Sequence, residues 1–137
     1  VEFGPKDAPP IVMIHGLSAQ LQHFTYALTD LLKDDFRLIV LDRPGCGYSS
    51  RDSADLVVQA RMIGALLDEL GIDRPVVAGH SLGGALALAM DRAGIVSSQL
   101  LFCGGWGKPL MELLDRGGSY LPDLVFEGLE IMAAEAD

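Results

Sequence analysis

The sequence is poor in cysteine and in positive charge. Only two of its 137 residues are cysteines, Cys46 and Cys103, and they form no C-x-x-C pattern, which excludes a disulfide framework and a zinc ribbon. Lys and Arg number 10 against 19 Asp and Glu, so the formal net charge is −9 at pH 7. A nucleic-acid-binding surface needs clustered basic side chains, and we therefore expect no nucleic-acid partner.

Long hydrophobic runs and a targeting segment are also lacking. The uncharged stretch 75–90 contains His80, Ser81 and glycines, whereas a membrane-spanning helix needs about 20 largely apolar residues. No basic segment followed by an apolar one opens the chain, so no secretory signal is visible and a cytoplasmic location is expected. Buried parallel strands account for the positive mean hydropathy, because both of their faces are covered.

Short apolar runs alternate with segments of helical periodicity, which predicts a doubly wound, mostly parallel α/β sheet. The predicted strands of this sheet are 11–14, 36–41, 75–79 and 99–103. Helices are predicted at about 20–33, 56–70 and 85–91. The first would bury Leu21, Phe24, Leu28 and Leu31; the second would be capped by Asp52 or Ser53 and end at Gly71.

The most informative motif is GHSLG at residues 79–83, a G-x-S-x-G pattern between a predicted strand and a predicted helix. Such a turn is tight, and glycine at positions 79 and 83 has no β-carbon that would clash in it. The turn would present the Ser81 hydroxyl at the carboxyl end of the sheet, at the positive end of the next helix. The alternative is a glycine-rich connection with an ordinary serine, which the strand–turn–helix context disfavours.

A second motif, His15-Gly16-Leu17, directly follows the first predicted central strand. Acyl transfer needs backbone N–H donors aimed at the position where the oxyanion develops. Leu82 would provide one donor and Leu17, after the flexible Gly16, the other. Alone, the motif indicates only a hydrogen-bonded turn histidine. Beside the serine motif it predicts an oxyanion hole.

Three segments in this order, HG at 15–16, DRPGCGYS at 42–49 and GHSLGG at 79–84, resemble the α/β-hydrolase fold superfamily. The resemblance covers about residues 1–103. It implies that Ser81 is the nucleophile and that the amides of Leu17 and Leu82 form the oxyanion hole. It also implies that the 42–49 segment is structural, with Asp42 and Arg43 bracing loops.

The same resemblance implies an α/β-hydrolase-type sheet that is incomplete, with residues 1–107 as the N-terminal part of the core and residues 108–137 as the start of a helical cap. Residues 104–107 (GGWG) would form a flexible break, and an apolar stripe from Leu121 to Met132 predicts a cap helix. A small-molecule, ester-like substrate is implied. We expect no cofactor and no metal, and the sequence leaves the oligomeric state open.

No histidine follows Ser81, although the catalytic residues of this fold occur in the order Ser, Asp or Glu, His. His23 is expected on a helix surface or against a neighbouring element, and His80 is not expected to be the base. Glu112 and Asp115 are weak candidates for the acid. We therefore expect the chain to be part of a longer hydrolase, inactive alone, with an open edge on strand 99–103 and poor solubility.

Three functions remain open. The first is a serine hydrolase that acts on esters or related acyl compounds. The second is a non-catalytic binding or receptor-like module that keeps the pocket without a working base. The third is an acyltransferase, a lyase or a carbon–carbon bond hydrolase that uses the same serine. The motifs do not separate them. Product analysis would distinguish the enzymatic reactions, and a stop codon after Asp137 with a stable folded product would favour the non-catalytic module.

Overall fold

The computed structural model describes residues 1–26, 28–50, 54–96, 99–115, 117–124 and 127. It divides the chain into two compact units, residues 1–98 and residues 99–137. The first unit contains both sequence motifs. No helix among the described residues is long and apolar enough to cross a membrane.

Four strands of the first unit form one sheet in the order β1-β3-β2-β4: β1 (Glu2–Phe3), β2 (Pro10–Ile14), β3 (Arg37–Leu41) and β4 (Val76–Gly79). β2 is parallel to both β3 and β4, and β1 is antiparallel to β3. The strands predicted at 11–14, 36–41 and 75–79 are confirmed. Because Ile14 is in register with Leu41 and with Gly79, the three parallel strands end together, and the loops that follow them meet at one edge.

Helices cover both faces of this sheet, which confirms the doubly wound α/β architecture. On one face lie α3 (Leu56–Glu69) and α4 (Leu82–Arg92), and on the other α1 (Gln22–Thr25) and α2 (Thr29–Leu32). Successive side chains along β2 and β3 point to opposite faces of the sheet, so these strands contribute to a hydrophobic core on each face. Val12, Ile14, Ile39 and Leu41 pack with α3 and α4, and Met13, Leu38 and Val40 with the α1–α2 side.

The continuous helix predicted at 20–33 is wrong, because α1 ends at Thr25 and α2 begins at Thr29. The break moves the apolar face by one position: Leu32 packs against the core, while Leu31 is 71% exposed. The β-branched threonines on either side of the break have weak helix propensity, so packing of the leucines against the sheet decides the geometry.

The helix predicted at 56–70 is confirmed as α3, and its N-cap is Asp55. The Asp55 carboxylate accepts hydrogen bonds from the N–H groups of Val57 (2.7 Å) and Val58 (3.2 Å), which a helix start leaves without intrahelical partners. The predicted caps, Asp52 and Ser53, lie outside the described residues. After the helix, Gly71 has φ +64°, the left-handed conformation expected there.

The second unit contains β5 (Leu101–Cys103), α5 (Gly107–Leu114) and β6 (Ser119–Leu121). A strand is present within 99–103, but its predicted place in the main sheet is wrong, because β5 pairs in parallel with β6 in a separate two-stranded sheet. The helix between them supplies the crossover that parallel pairing requires. The pairing is therefore local to the second unit.

Two further predictions concern the second unit. The break at 104–107 is shorter than predicted, since Gly107 already begins α5. Leu121 lies in β6, so the helical stripe predicted from it is wrong at its first residue. Residues 125–126 and 128–132 of that stripe lie outside the described residues. The assignment of 108–137 to a cap remains a prediction.

Candidate active site

Ser81 lies in the turn that joins β4 to α4. Its backbone has φ +54° and ψ −118°, a conformation that costs a residue with a side chain about 1–3 kcal/mol. The turn is held on both sides: the His80 N–H donates to the Ile14 carbonyl (3.0 Å), and the Gly83 N–H donates to the His80 carbonyl (2.9 Å). Ser81 is exposed, so reagents in solution can reach it.

Gly79 and Gly83 lie where the turn leaves no room for side chains. A β-carbon on Gly79 would stand 2.3 Å from the Gly83 carbonyl oxygen, and one on Gly83 would stand 2.1 Å from the Ile14 carbonyl oxygen. Both contacts would be with backbone, which cannot rotate away. Glycine at these positions therefore lets α4 approach the end of β2 and places Ser81 beside it.

The segment that leaves β2, residues 15–21, is here called the exit loop, and it passes directly beside Ser81. A β-carbon on Gly16 would stand 3.0 Å from the Ser81 Cβ and 3.2 Å from the His80 Nδ1. Leu17 follows and is 73% exposed. Leu82 is the first residue of α4, so its N–H has no partner within the helix. The two predicted oxyanion donors thus belong to backbone segments that adjoin Ser81.

A buried polar network supports the start of the exit loop. The Nε2 of His15 accepts a hydrogen bond from the Arg43 N–H (3.0 Å), so the ring hydrogen resides on Nδ1, which donates to the Gly16 carbonyl (2.8 Å). The guanidinium of Arg43, a residue only 3% exposed, donates from Nε to the His15 carbonyl (3.0 Å) and from Nη2 to the Gly16 carbonyl (3.3 Å). Its Nη1 donates to the Gln59 side-chain carbonyl (3.4 Å).

The Asp42 carboxylate holds the far end of the exit loop. It accepts hydrogen bonds from the Leu21 N–H (2.8 Å) and the Tyr48 N–H (3.0 Å). Gly47, at φ +52°, makes room for it, because a β-carbon there would stand 2.0 Å from the carboxylate oxygen. Asp42 and Arg43 therefore brace opposite ends of the same loop.

The three histidines occupy different environments. Both ring nitrogens of His15 are engaged in the network. His23 is exposed on α1, as predicted, with its Nδ1 3.3 Å from the Gln20 N–H. His80 is exposed beside Gly16. In the second unit Glu112 and Asp115 are both exposed, and no cluster of three or more metal-ligating side chains occurs among the residues described.

Sequence reasoning missed Gln59 and the bonds between the network and the exit loop. Gln59 is 3% exposed on α3, within the otherwise apolar buried face formed by Ala60, Ile63 and Leu67. A polar residue in such a face was the available signal, because a buried amide requires a hydrogen-bonding partner. The partners themselves are distant in the chain, and no local pattern reveals them.

Comparisons with known proteins identify relatives of this chain. The profile of the alpha/beta hydrolase fold family matches residues 9–90. A dihydrolipoyllysine-residue acetyltransferase component of an acetoin cleaving system from Pseudomonas putida is 31% identical over 129 residues, which are 90% of this chain and 33% of that protein. A bifunctional esterase/perhydrolase from Acinetobacter calcoaceticus is 31% identical over 134 residues, 94% of this chain and 48% of that protein.

A solved structure of the N-acyl homoserine lactonase AidH with N-butanoyl homoserine superimposes with a TM-score of 0.63 and 30% identity, over 76% of this chain and 39% of that one. The chain spans about a third to a half of the length of these relatives. The family profile covers more than half of the 137 residues and includes β2, β3, α3, β4 and most of α4. The chain therefore belongs to the alpha/beta hydrolase fold family.

Proposed function

We propose that Ser81 is the nucleophile of a serine hydrolase that acts on carboxylic esters or related acyl compounds. The observation that supports this most is the backbone of Ser81, strained at φ +54° in an exposed turn at the start of the 11-residue helix α4. Strain of this kind persists where the surrounding structure imposes it and clusters at functional sites. Relatives named as an esterase and as a lactonase agree with the substrate class.

In the proposed reaction the Ser81 Oγ attacks the carbonyl carbon of the ester while a general base takes its proton. The N–H groups of Leu17 and Leu82 stabilise the negative charge that develops on the carbonyl oxygen, and the positive end of α4 adds to the potential there. The alcohol leaves with a proton, and the acyl group remains on Ser81. Water then attacks the acyl group, releases the carboxylic acid and restores the hydroxyl.

The general base is not found among the three histidines of the chain. The ring nitrogens of His15 are both engaged in hydrogen bonds. His23 lies on the exposed surface of α1. His80, whose Nδ1 lies beside Gly16, precedes Ser81, whereas the base of this fold follows the nucleophile and the acid in the chain. We therefore assign the base to a residue other than these three histidines.

The test is covalent labelling with a fluorophosphonate probe of the protein expressed from its complete coding sequence. We expect mass spectrometry to find the probe on Ser81, and Ser81→Ala to abolish labelling. Ser119→Ala, which alters another exposed serine, is the matched control and should label as the wild type does. A folded wild-type protein that stays unlabelled contradicts the proposal and favours a non-catalytic binding module.

An acyltransferase is the second candidate, because one relative is named as an acetyltransferase component. Both reactions pass through an acylated Ser81 and differ only in the acceptor. Incubation with 4-nitrophenyl acetate and an added alcohol or thiol distinguishes them. A hydrolase yields acetate at a rate that does not depend on the concentration of the acceptor, whereas a transferase yields the acetylated acceptor.

A further inference from the structure

The carbonyl group of Gly16 is held by two buried donors. Arg43 Nη2 donates to it at 3.3 Å, and His15 Nδ1 donates to it at 2.8 Å. His15 and Arg43 are only 1% and 3% exposed, so water does not compete for either bond. The direction of this carbonyl is therefore fixed by side chains that do not face solvent.

The direction of the Gly16 carbonyl determines the direction of the Leu17 N–H. The two groups belong to one planar peptide unit, and in a trans peptide they point in opposite directions. Cis peptide bonds are absent from the described part of the chain. Since the carbonyl points into the buried network, the Leu17 N–H points away from it. Gly16 itself is buried, and a β-carbon on it would stand 3.0 Å from the Ser81 Cβ, so the peptide unit that carries the Leu17 N–H adjoins Ser81.

The guanidinium of Arg43 is itself held by further hydrogen bonds. Its Nε donates to the His15 carbonyl at 3.0 Å, and its Nη1 donates to the Gln59 side chain on α3 at 3.4 Å. The Arg43 N–H also donates to the His15 Nε2 at 3.0 Å. Two nitrogens of a rigid planar fork thus hold two successive carbonyls of the exit loop while the third binds Gln59, an arrangement that a lysine ammonium on a flexible stem does not reproduce.

We propose that Arg43 is a positioning residue, which aims the Leu17 N–H at the oxyanion by holding the Gly16 carbonyl on the opposite side of the same peptide unit. The proposal rests on the function proposed for Ser81. A charged donor on the carbonyl also polarises the peptide unit and makes its N–H a stronger donor. The guanidinium of Arg43 donates to the His15 and Gly16 carbonyls and to Gln59, so its effect on the reaction passes through the backbone.

The test compares Arg43→Lys with Arg37→Lys in the full-length protein, with 4-nitrophenyl acetate as substrate. Arg37 is also buried and also donates to backbone carbonyls, those of Lys6 (3.5 Å) and Leu70 (3.4 Å), outside the exit loop. Loss of a whole oxyanion donor lowers kcat about 100- to 1,000-fold, so we expect misdirection to lower kcat about 10- to 100-fold for Arg43→Lys, with KM unchanged. Arg37→Lys should keep the wild-type kcat.

A trifluoromethyl ketone, which forms an oxyanion on reaction with the serine, provides a second readout. Its affinity should fall by the same factor as kcat in Arg43→Lys, since both report the stabilisation of the oxyanion. A purely structural role would instead lower the amount of folded protein and leave the kcat of the folded fraction unchanged. Circular dichroism melting measures that fraction.

His15→Gln is the second variant, because the glutamine amide reaches the position of the His15 Nε2, where its oxygen accepts from the Arg43 N–H, and leaves no donor at the position of the Nδ1 beside Gly16. We expect His15→Gln to lower kcat less than Arg43→Lys does, with KM unchanged. A folded variant with wild-type kcat, a rise in KM alone, or failure of both variants to fold overturns the proposal. Fluorophosphonate labelling separates the two proposals. If Ser81 is labelled at the same rate in the wild type and in Arg43→Lys, only the role proposed for Arg43 is contradicted. If the wild type is not labelled, the function proposed for Ser81 is contradicted.

Discussion

Ser81 combines an exposed side chain with backbone angles, φ +54° and ψ −118°, that only glycine adopts without strain. The hydrogen bonds of His80 and Gly83 hold the turn in this conformation. The β-carbon of Ser81 therefore lowers the free energy of unfolding, while the hydroxyl that it carries is the group to which we assign the chemistry.

Replacement of Ser81 measures this strain directly. Ser81→Ala keeps the β-carbon, and we expect its free energy of unfolding to stay close to that of the wild type. Ser81→Gly removes the β-carbon, and we expect it to be more stable than Ser81→Ala by about 1 kcal/mol, since relief of strain of about 1–3 kcal/mol is partly offset by the greater freedom of glycine in the unfolded chain. Chemical unfolding of the two variants gives the difference. A Ser81→Gly variant less stable than Ser81→Ala would contradict it.

At the scale of single residues, the sequence predicted what is local. The spacing within GHSLG indicated a tight turn with Ser81 between glycines, and the structure places those residues in such a turn. The contacts of Asp42 with the Leu21 N–H and of Arg43 with the His15 carbonyl join residues that are far apart in the chain. Such bonds follow from the way three parallel strands end at one edge, which no short motif encodes.

At the scale of elements, the approach of α4 to the end of β2 depends on the absence of one side chain. Gly83 faces the Ile14 carbonyl, where a β-carbon would stand 2.1 Å from the oxygen. Gly84 is the next residue of the same helix, and a β-carbon there would stand 3.3 Å from the Gly79 carbonyl oxygen. The two glycines therefore form a matched pair in which only the first is sterically required.

Alanine substitutions at this pair should have very different effects. Gly83→Ala must push α4 away from β2, and we expect it to lower the free energy of unfolding by about 3 kcal/mol or more. Gly84→Ala meets a milder contact and gains helix propensity of about 1 kcal/mol, so its stability should lie within about 1 kcal/mol of the wild type. Urea titration followed by circular dichroism measures both. Equal effects at the two positions would contradict the close approach.

The sequence predicted the type of most elements better than their partners or their ends. Apolar runs identified β2 and β3, because a strand buried on both faces has a distinctive composition. The apolar run of β4 identified it as well, although most of its residues are exposed. The break between α1 and α2 was missed, since packing shifts the buried position from Leu31 to Leu32 without altering the apolar content. β5 was found as a strand, but its pairing with β6 depends on a crossover that hydrophobicity alone does not reveal.

At the scale of the whole molecule, a single apolar cluster joins the sheet of the first unit to α3 and α4. Leu86 on α4 is fully buried in this cluster, and Met90 one turn later is buried with it. Strands β2 and β3 provide the opposite wall through Val12 and Ile39. The turn that carries Ser81 is therefore attached, through α4, to this buried cluster.

Truncation of Leu86 should destabilise this unit strongly. Leu86→Ala leaves a cavity among fixed neighbours, and we expect a loss of about 2–5 kcal/mol in the free energy of unfolding. Leu113→Ala is the matched control, because Leu113 is also helical but 82% exposed, and its effect should stay within about 0.5 kcal/mol. Thermal and urea unfolding provide the comparison. A loss below about 1 kcal/mol for Leu86→Ala would show that α4 is not anchored by this cluster.

The angles at Ser81 are imposed from a distance, since Ile14 on β2 receives the His80 N–H and closes the space beside Gly83. A synthetic peptide of residues 75–92 contains the whole motif but lacks that neighbouring strand. Such a peptide has no reason to hold a serine at positive φ, and its hydroxyl should react like that of any free serine. Ser81 thus acquires its positive φ only when the parallel strands assemble. The appearance of a reactive Ser81 during refolding would therefore report when the sheet is complete.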